Sequence, residues 1–225
     1  MNIMPPPLPA RYSEWLCYLF DHETRPGLPE WYWSHDAPTF EATPDEIAEL
    51  WIAMMKRSGM DLRGYTDEQL SQGLWYLFSN ACSDHSHQIR DGGLPIEKVV
   101  EVYEAILWLY RDLFSSRCTE TLGHLCETGS ALNSICYMLW DTSPLGWPPD
   151  ADPSSAIEKA LLKLLEQALH LPHRACMESA LHGLGELHCR YASQVEAIIE
   201  AKLVSLAQDT ALLQYALKAQ QGDIL

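Results

Sequence analysis

The sequence predicts an all-α protein built from stacked helical pairs. Three observations carry that reading. Helix-start signals, a Thr or Asp beside proline and acids, recur along the chain. Each is followed by apolar residues at the spacing that puts them on one side of a helix. No stretch alternates apolar and polar residues as a half-buried strand does, and most joining segments are a few residues long.

In chain order, a short amphipathic helix is expected from Tyr12 to Phe20. Thr43-Pro44-Asp45-Glu46 supplies a cap, a proline at the first helical position and a capping-box acid. Ile47, Leu50, Trp51, Met54 and Met55 form the stripe of that helix, and Gly59 is expected to end it. Thr66-Asp67-Glu68-Gln69 starts the next, striped by Leu70, Leu74, Trp75, Leu77 and Phe78. Pro95 opens a longer helix carrying Ile96, Val99, Val100, Tyr103, Ile106, Leu107, Tyr110 and Phe114. Leu132, Ile135, Cys136 and Leu139 mark a shorter one. Asp152-Pro153 is expected to open a helix striped by Ile157, Ala160, Leu161, Leu164, Leu165 and Ala168. Pro172 starts a helix containing Gly185; Val195, Ile198, Ile199, Leu203 and Leu206 mark another; Asp209 caps the last.

Two segments read as non-helical. Thr24 to Thr39 holds three prolines and the cluster Trp31-Tyr32-Trp33, and Thr142 to Pro153 is rich in turn residues. All eight tryptophans lie at or before Trp147. The front half must therefore pack large rings, while the rear half packs Leu and Ala. The chain reads as one all-helical domain, 1–225, with a seam at 142–153; two separate domains is the other reading.

Composition bounds the partners. A chain of 225 residues suffices for one sizeable core or two small ones. Thirty-one acids against fifteen bases give a net charge of -16. Nucleic-acid binding needs Lys and Arg to displace counterions from phosphates, so neither nucleic acid nor an anionic membrane is an expected partner. The same field speeds encounter with a basic protein, although acidity also serves plain solubility. Seven widely spaced cysteines, an odd number, read as free thiols, several on apolar helix faces. Met1-Asn2-Ile3-Met4 and the prolines after it lack the pattern of a signal peptide. A reducing, cytoplasmic setting is the expectation.

The segment from Arg174 to Gly185 (Arg174-Ala175-Cys176-Met177-Glu178-Ser179-Ala180-Leu181-His182-Gly183-Leu184-Gly185) is the most informative. Arg174, then Ala180-Leu181, then Leu184-Gly185 resemble the second helix of a HEAT-type repeat; Met177 stands where that family favours Ala. The resemblance implies an α-solenoid, or stacked helical hairpins, whose concave face binds proteins. In character, a small acidic chain of this kind also resembles the bacterial immunity proteins that neutralise a cognate toxin.

Helical spacing puts Met177, Ala180, Leu181, Leu184, Leu187 and His188 on an apolar side, His188 as a packed core histidine. Glu178, His182, Gly185 and Cys189 fall on the other side. Glu178, His182 and Gly185 are a candidate partner-binding stripe; a solvated face with a packing glycine is the simpler explanation of the same residues. Trp31 and Trp33 are candidate interface anchors, although rings in a loop also serve to pin it to the domain.

Cys82-Ser83-Asp84-His85-Ser86-His87 offers three ligand-type side chains within six positions. No second cluster matches; His124 and Cys126 are the nearest complement, and a loop after a helix explains the same residues. No metal or cofactor is therefore expected. Nucleophile elbows and phosphate loops are missing, and the carboxylate pairs Asp45-Glu46 and Asp67-Glu68 sit at helix starts, where the dipole favours acids. The sequence reads as a protein-binding scaffold and not an enzyme, of the kind of an immunity-type inhibitor of a basic bacterial toxin. The alternatives are a metal-dependent or other enzyme using His85, His87 or His182, and a structural helical subunit of a larger assembly.

Overall fold

The computed structural model describes residues 7–148 and 155–224; Met1-Asn2-Ile3-Met4 and the expected Asp152-Pro153 helix start lie outside them. Among the described residues the fold is all helical, with no strand. The Thr43, Thr66 and Asp209 start signals act through side-chain bonds, whereas the starts at Pro95 and Pro172 have none. Thr43 Oγ1 accepts the Glu46 N–H at 3.3 Å and opens α2 (Pro44–Lys56), which follows α1 (Tyr12–Phe20). Thr66 and Gln69 exchange bonds of 3.2 and 3.1 Å, a capping box that starts α4 (Asp67–Phe78). Between α2 and α4 lies the single turn α3 (Ser58–Asp61). α2 ends at Lys56, so Gly59 does not terminate it. Gly59 sits inside α3, and its small size is required there because a Cβ would come within 2.9 Å of Asp112.

α5 (His85–Asp91) is followed by α6 (Ile96–Trp108), which runs into a π-helical turn, Leu109–Phe114, and ends in α7 (Ser115–Arg117). The expected stripe holds except at Ile96, which is 56% exposed. α8 (Ala131–Thr142) starts at Ser130 with a second capping box to Asn133. α9 (Ala156–Leu169) is capped by Ser155, whose hydroxyl accepts the Glu158 N–H at 3.2 Å. α10 (Arg174–Leu206) begins two residues after Pro172 and absorbs what the sequence divides into two helices. The division survives as a kink at Tyr191 (φ -133°, ψ 39°), held by a buried bond from its hydroxyl to Glu158. α11 (Thr210–Ala219) is capped by Asp209, as expected.

α10 is the organising element: α8, α9 and α11 all pack on it. α6 joins α2 to α9, and α4 joins α1 to α8. One buried apolar cluster consequently runs from Tyr12 to Ile224, across the 142–153 seam. Trp15, Trp51 and Trp140 are fully buried in it, which places the large rings in the front of the chain. The rear is built from residues such as Leu161, Leu165, Ala168, Ala180 and Leu184. Close packing there requires glycine: a Cβ on Gly183 would lie 2.7 Å from the Trp140 ring. No helix of the described residues is long and apolar enough to cross a membrane.

Candidate functional site

α10 is buried on both of its sides between Ala175 and Leu187. Its polar residues therefore point into the protein. Glu178, His182 and Glu186 recur every four residues and share one face. Tyr137 and Asp141, also four apart, present the matching face of α8, and Tyr215 comes from α11.

Glu178 is 1% exposed. Its carboxylate accepts the N–H groups of Gly123 and His124 at 2.8 and 3.0 Å, and His124 Nδ1 at 2.6 Å. It thus caps the 3₁₀ turn Gly123–Leu125 from a distant helix, satisfying donors that the turn itself cannot. The His124 ring stacks on Tyr215, with centroids 4.2 Å apart. The Tyr215 hydroxyl lies 2.6 Å from His182 Nδ1, and His182 Nε2 lies 2.9 Å from Asp141 Oδ1. Tyr137 closes the network, its hydroxyl 3.3 Å from that of Tyr215. Burial holds both phenols above their usual pKa range, so they act as neutral hydrogen-bonding groups. Burial, and then the nearby charge of Asp141, pushes the Glu186 carboxyl up.

This geometry corrects the expected contact stripe. Glu178, His182 and Gly185 are brought together, but they are covered: His182 is 5% exposed, and a Cβ on Gly185 would come within 2.6 Å of Ile224. The stripe organises α8, α10, α11 and the Gly123–Leu125 turn. A groove of about 150 Å³ lined by His124, Tyr137, Tyr215 and Lys218 reaches its edge. His188 sits at the rim of the core, with Nε2 3.2 Å from Glu196.

The Cys82-to-His87 cluster does not converge. His85 is 4% exposed among Trp15, Tyr18 and Tyr76, and neither ring nitrogen has a hydrogen-bond partner. Burial drives its pKa down to about 4, so the ring is neutral at pH 7. His87 turns outward to Asp91 at 3.3 Å, and Cys82 is half-buried. Among the described residues, Asp141, His182 and Glu186 form the one group of three with ligand atoms all within 4.8 Å of one another. The sequence reading named His182 alone of these. The i, i+4 pattern of Glu178, His182 and Glu186 was visible, but its pairing with Tyr137 and Asp141 depends on the packing of α8 on α10.

Trp31 and Trp33 part company. Trp31 stacks on His22 at 3.9 Å and packs on Tyr18 and Tyr76, so it pins the loop. Trp33 is 56% exposed and touches only the neighbouring Tyr32 ring among the aromatic groups. Elsewhere, Cys118, Cys136 and Cys176 are buried. Hydrogen bonds from Cys136, His173 and Ser115 lower the Cys176 thiol to about 6, yet its burial removes it from reagents.

Comparison with protein-family models, with curated proteins and with solved structures finds no match for this chain.

Proposed function

We propose that this chain is a protein-binding helical module whose partner is a basic protein, in the manner of an immunity protein that neutralises a toxin. Helical hairpins stacked in HEAT fashion are the proposed frame. The observation that carries the reading is the loop between α1 and α2. Leu28 and Trp33 are 59% and 56% exposed there, and Asp21, Glu23, Glu30 and Asp36 are exposed around them. Arg25 is the one Lys or Arg exposed among them and is paired with Glu23, so the loop sets an exposed apolar anchor amid mainly acidic charge, an arrangement suited to a basic partner's interface. Trp31, fixed on His22, holds that anchor in place without being consumed by it.

The remaining charge supports the same partner. Lys and Arg are largely occupied by carboxylates, for example Lys56 with Glu101, Arg57 with Asp61, Arg117 with Asp67 and Arg174 with Asp209. The acids left over dominate the surface, given the net charge of -16. That field accelerates association with a basic surface and repels phosphates.

The test uses the full chain as bait in cells of its source, followed by reconstitution with the purified captured protein. The expected partner is basic, and its affinity falls as salt rises from 50 to 300 mM. Trp33→Ala is expected to weaken it by about tenfold or more, the loss typical of an interface anchor. An acidic partner, no partner, or binding that ignores both salt and Trp33→Ala overturns the reading.

A further inference from the structure

The Asp141, His182 and Glu186 side chains differ from the rest of the polar network in one respect. Glu178 spends its carboxylate on three donors. The Glu186 carboxylate accepts no hydrogen bond, its backbone oxygen alone being taken by Cys189, and no Lys or Arg pairs with Glu186 or Asp141, among the described residues. Two carboxylates thus converge on one imidazole with no permanent cation between them, and three ligand atoms, one from each residue, lie within 4.8 Å of one another.

The support for the imidazole is built in. His182 is 5% exposed, and Tyr215 fixes its Nδ1 at 2.6 Å. That bond leaves Nε2 on Asp141, 2.9 Å away. Without a cation, Nε2–H donates to the Asp141 carboxylate and the Tyr215 hydroxyl can donate to Nδ1; a cation would take the place of the Nε2 proton, with Nδ1–H then donating to the Tyr215 oxygen. Metal-binding histidines are held in just this way, by a partner on the other ring nitrogen. His182 and Glu186, one turn apart on α10, form a rigid pair of donors, and Asp141 completes the set from α8. Asp141 keeps 25% of its side chain exposed, which leaves a route for an ion from solvent.

We propose that Asp141, His182 and Glu186 bind one divalent transition-metal cation of the zinc class, with Nε2 and one oxygen of each carboxylate as ligands. The donor chemistry selects the class. Imidazole suits zinc and its first-row neighbours, whereas calcium and magnesium favour sites built from oxygen alone. Three protein ligands leave a coordination position open to water, the pattern of zinc sites that are not purely structural. The site lies on α8 and α10, away from the α1–α2 loop, so it does not rest on the partner-binding reading.

The test is titration of the metal-stripped full chain with Zn2+ alone, by calorimetry, with Co2+ absorbance as a second probe. One equivalent is expected to bind. Glu186→Gln and Asp141→Asn are each expected to weaken binding by about tenfold or more, since even outer-shell partners of a ligand carry that much. Glu186→Gln keeps shape and breaks no hydrogen bond, so its fold, checked by circular dichroism, is expected to survive. His87→Ala, which removes a surface imidazole beside Asp91, is expected to leave the affinity unchanged. In the wild-type chain the His182 ring nitrogen signals should shift on Zn2+ addition. Absence of saturable binding, or equal affinity in Glu186→Gln and wild type, overturns the assignment.

Discussion

Acidification should unfold this protein partly through one side chain, His85. Its ring lies between Trp15 and Tyr18 of α1 and Tyr76 of α4, at centroid distances of 5.1, 6.3 and 5.6 Å, with no hydrogen-bond partner on either nitrogen. Burial disfavours the imidazolium and lowers the pKa from 6.5 to about 4; Asp84, next in the chain, opposes this only weakly. Burial keeps Tyr18 and Tyr76 neutral across the acid range, so they offer the ring no charge. The unfolded chain therefore binds a proton between pH 6.5 and 4 that the folded chain refuses. Stability from this group is complete above pH 6.5 and is lost as pH falls toward 4. At 1.36 kcal/mol per pKa unit the full loss is about 3 kcal/mol, of which about 2 kcal/mol is spent by pH 5. The perturbation is His85→Phe, which keeps an aromatic ring and removes the titration. Any packing cost of the larger ring is independent of pH, so the difference between the two proteins isolates the imidazole from every carboxylate that titrates in the same window. Urea unfolding followed by circular dichroism at pH 7, 6 and 5 should show the variant gaining about 2 kcal/mol on the wild type over that range. Parallel stability curves would refute the argument.

Three further outcomes follow from burial and close approach. Glu178→Ala should cost about 3 kcal/mol in urea unfolding, because it strands the Gly123 and His124 donors, whereas exposed Glu166→Ala should stay within about 0.5 kcal/mol. Gly73→Ala should cost about 1–3 kcal/mol, since its Cβ would lie 2.3 Å from the Phe20 ring and 2.6 Å from the Leu19 carbonyl; Gly64→Ala, with open space around it, should be neutral. In native thiol titration Cys17, Cys126 and Cys189 should react quickly, and Cys118, Cys136 and Cys176 only on unfolding, despite the lowered Cys176 thiol.

The helices were legible because their signals are local. Thr43, Thr66 and Asp209 each satisfy an N–H three residues ahead, a bond that needs no tertiary partner. Boundaries failed where a distant residue decides them. Gly59 looks like a helix end in sequence, but Asp112, more than fifty positions away, is what requires its small size. The sequence divides α10 into two helices without locating the break, and the Tyr191 hydroxyl bond to Glu158 of α9 is what holds the kink.

The polar stripe of α10 shows why a site is harder to read than a helix. A glutamate and a histidine one turn apart look the same in sequence whether water or protein faces them. α10 is apolar on one side by composition, and the other side is closed by α11, whose packing brings Tyr215 to His182 and Ile224 to Gly185. Once covered, each polar group must find a partner or pay for its burial. Among the described residues the Glu178 carboxylate finds three, the His182 ring finds two, and the Glu186 carboxylate finds none, a difference that helical periodicity does not encode. Residues equivalent on a helical wheel are thereby sorted into an internal cap and an open ligand set. The exposed ring at Trp33 carries the opposite lesson: of two tryptophans separated by Tyr32, Trp31 holds the loop down and Trp33 is left exposed.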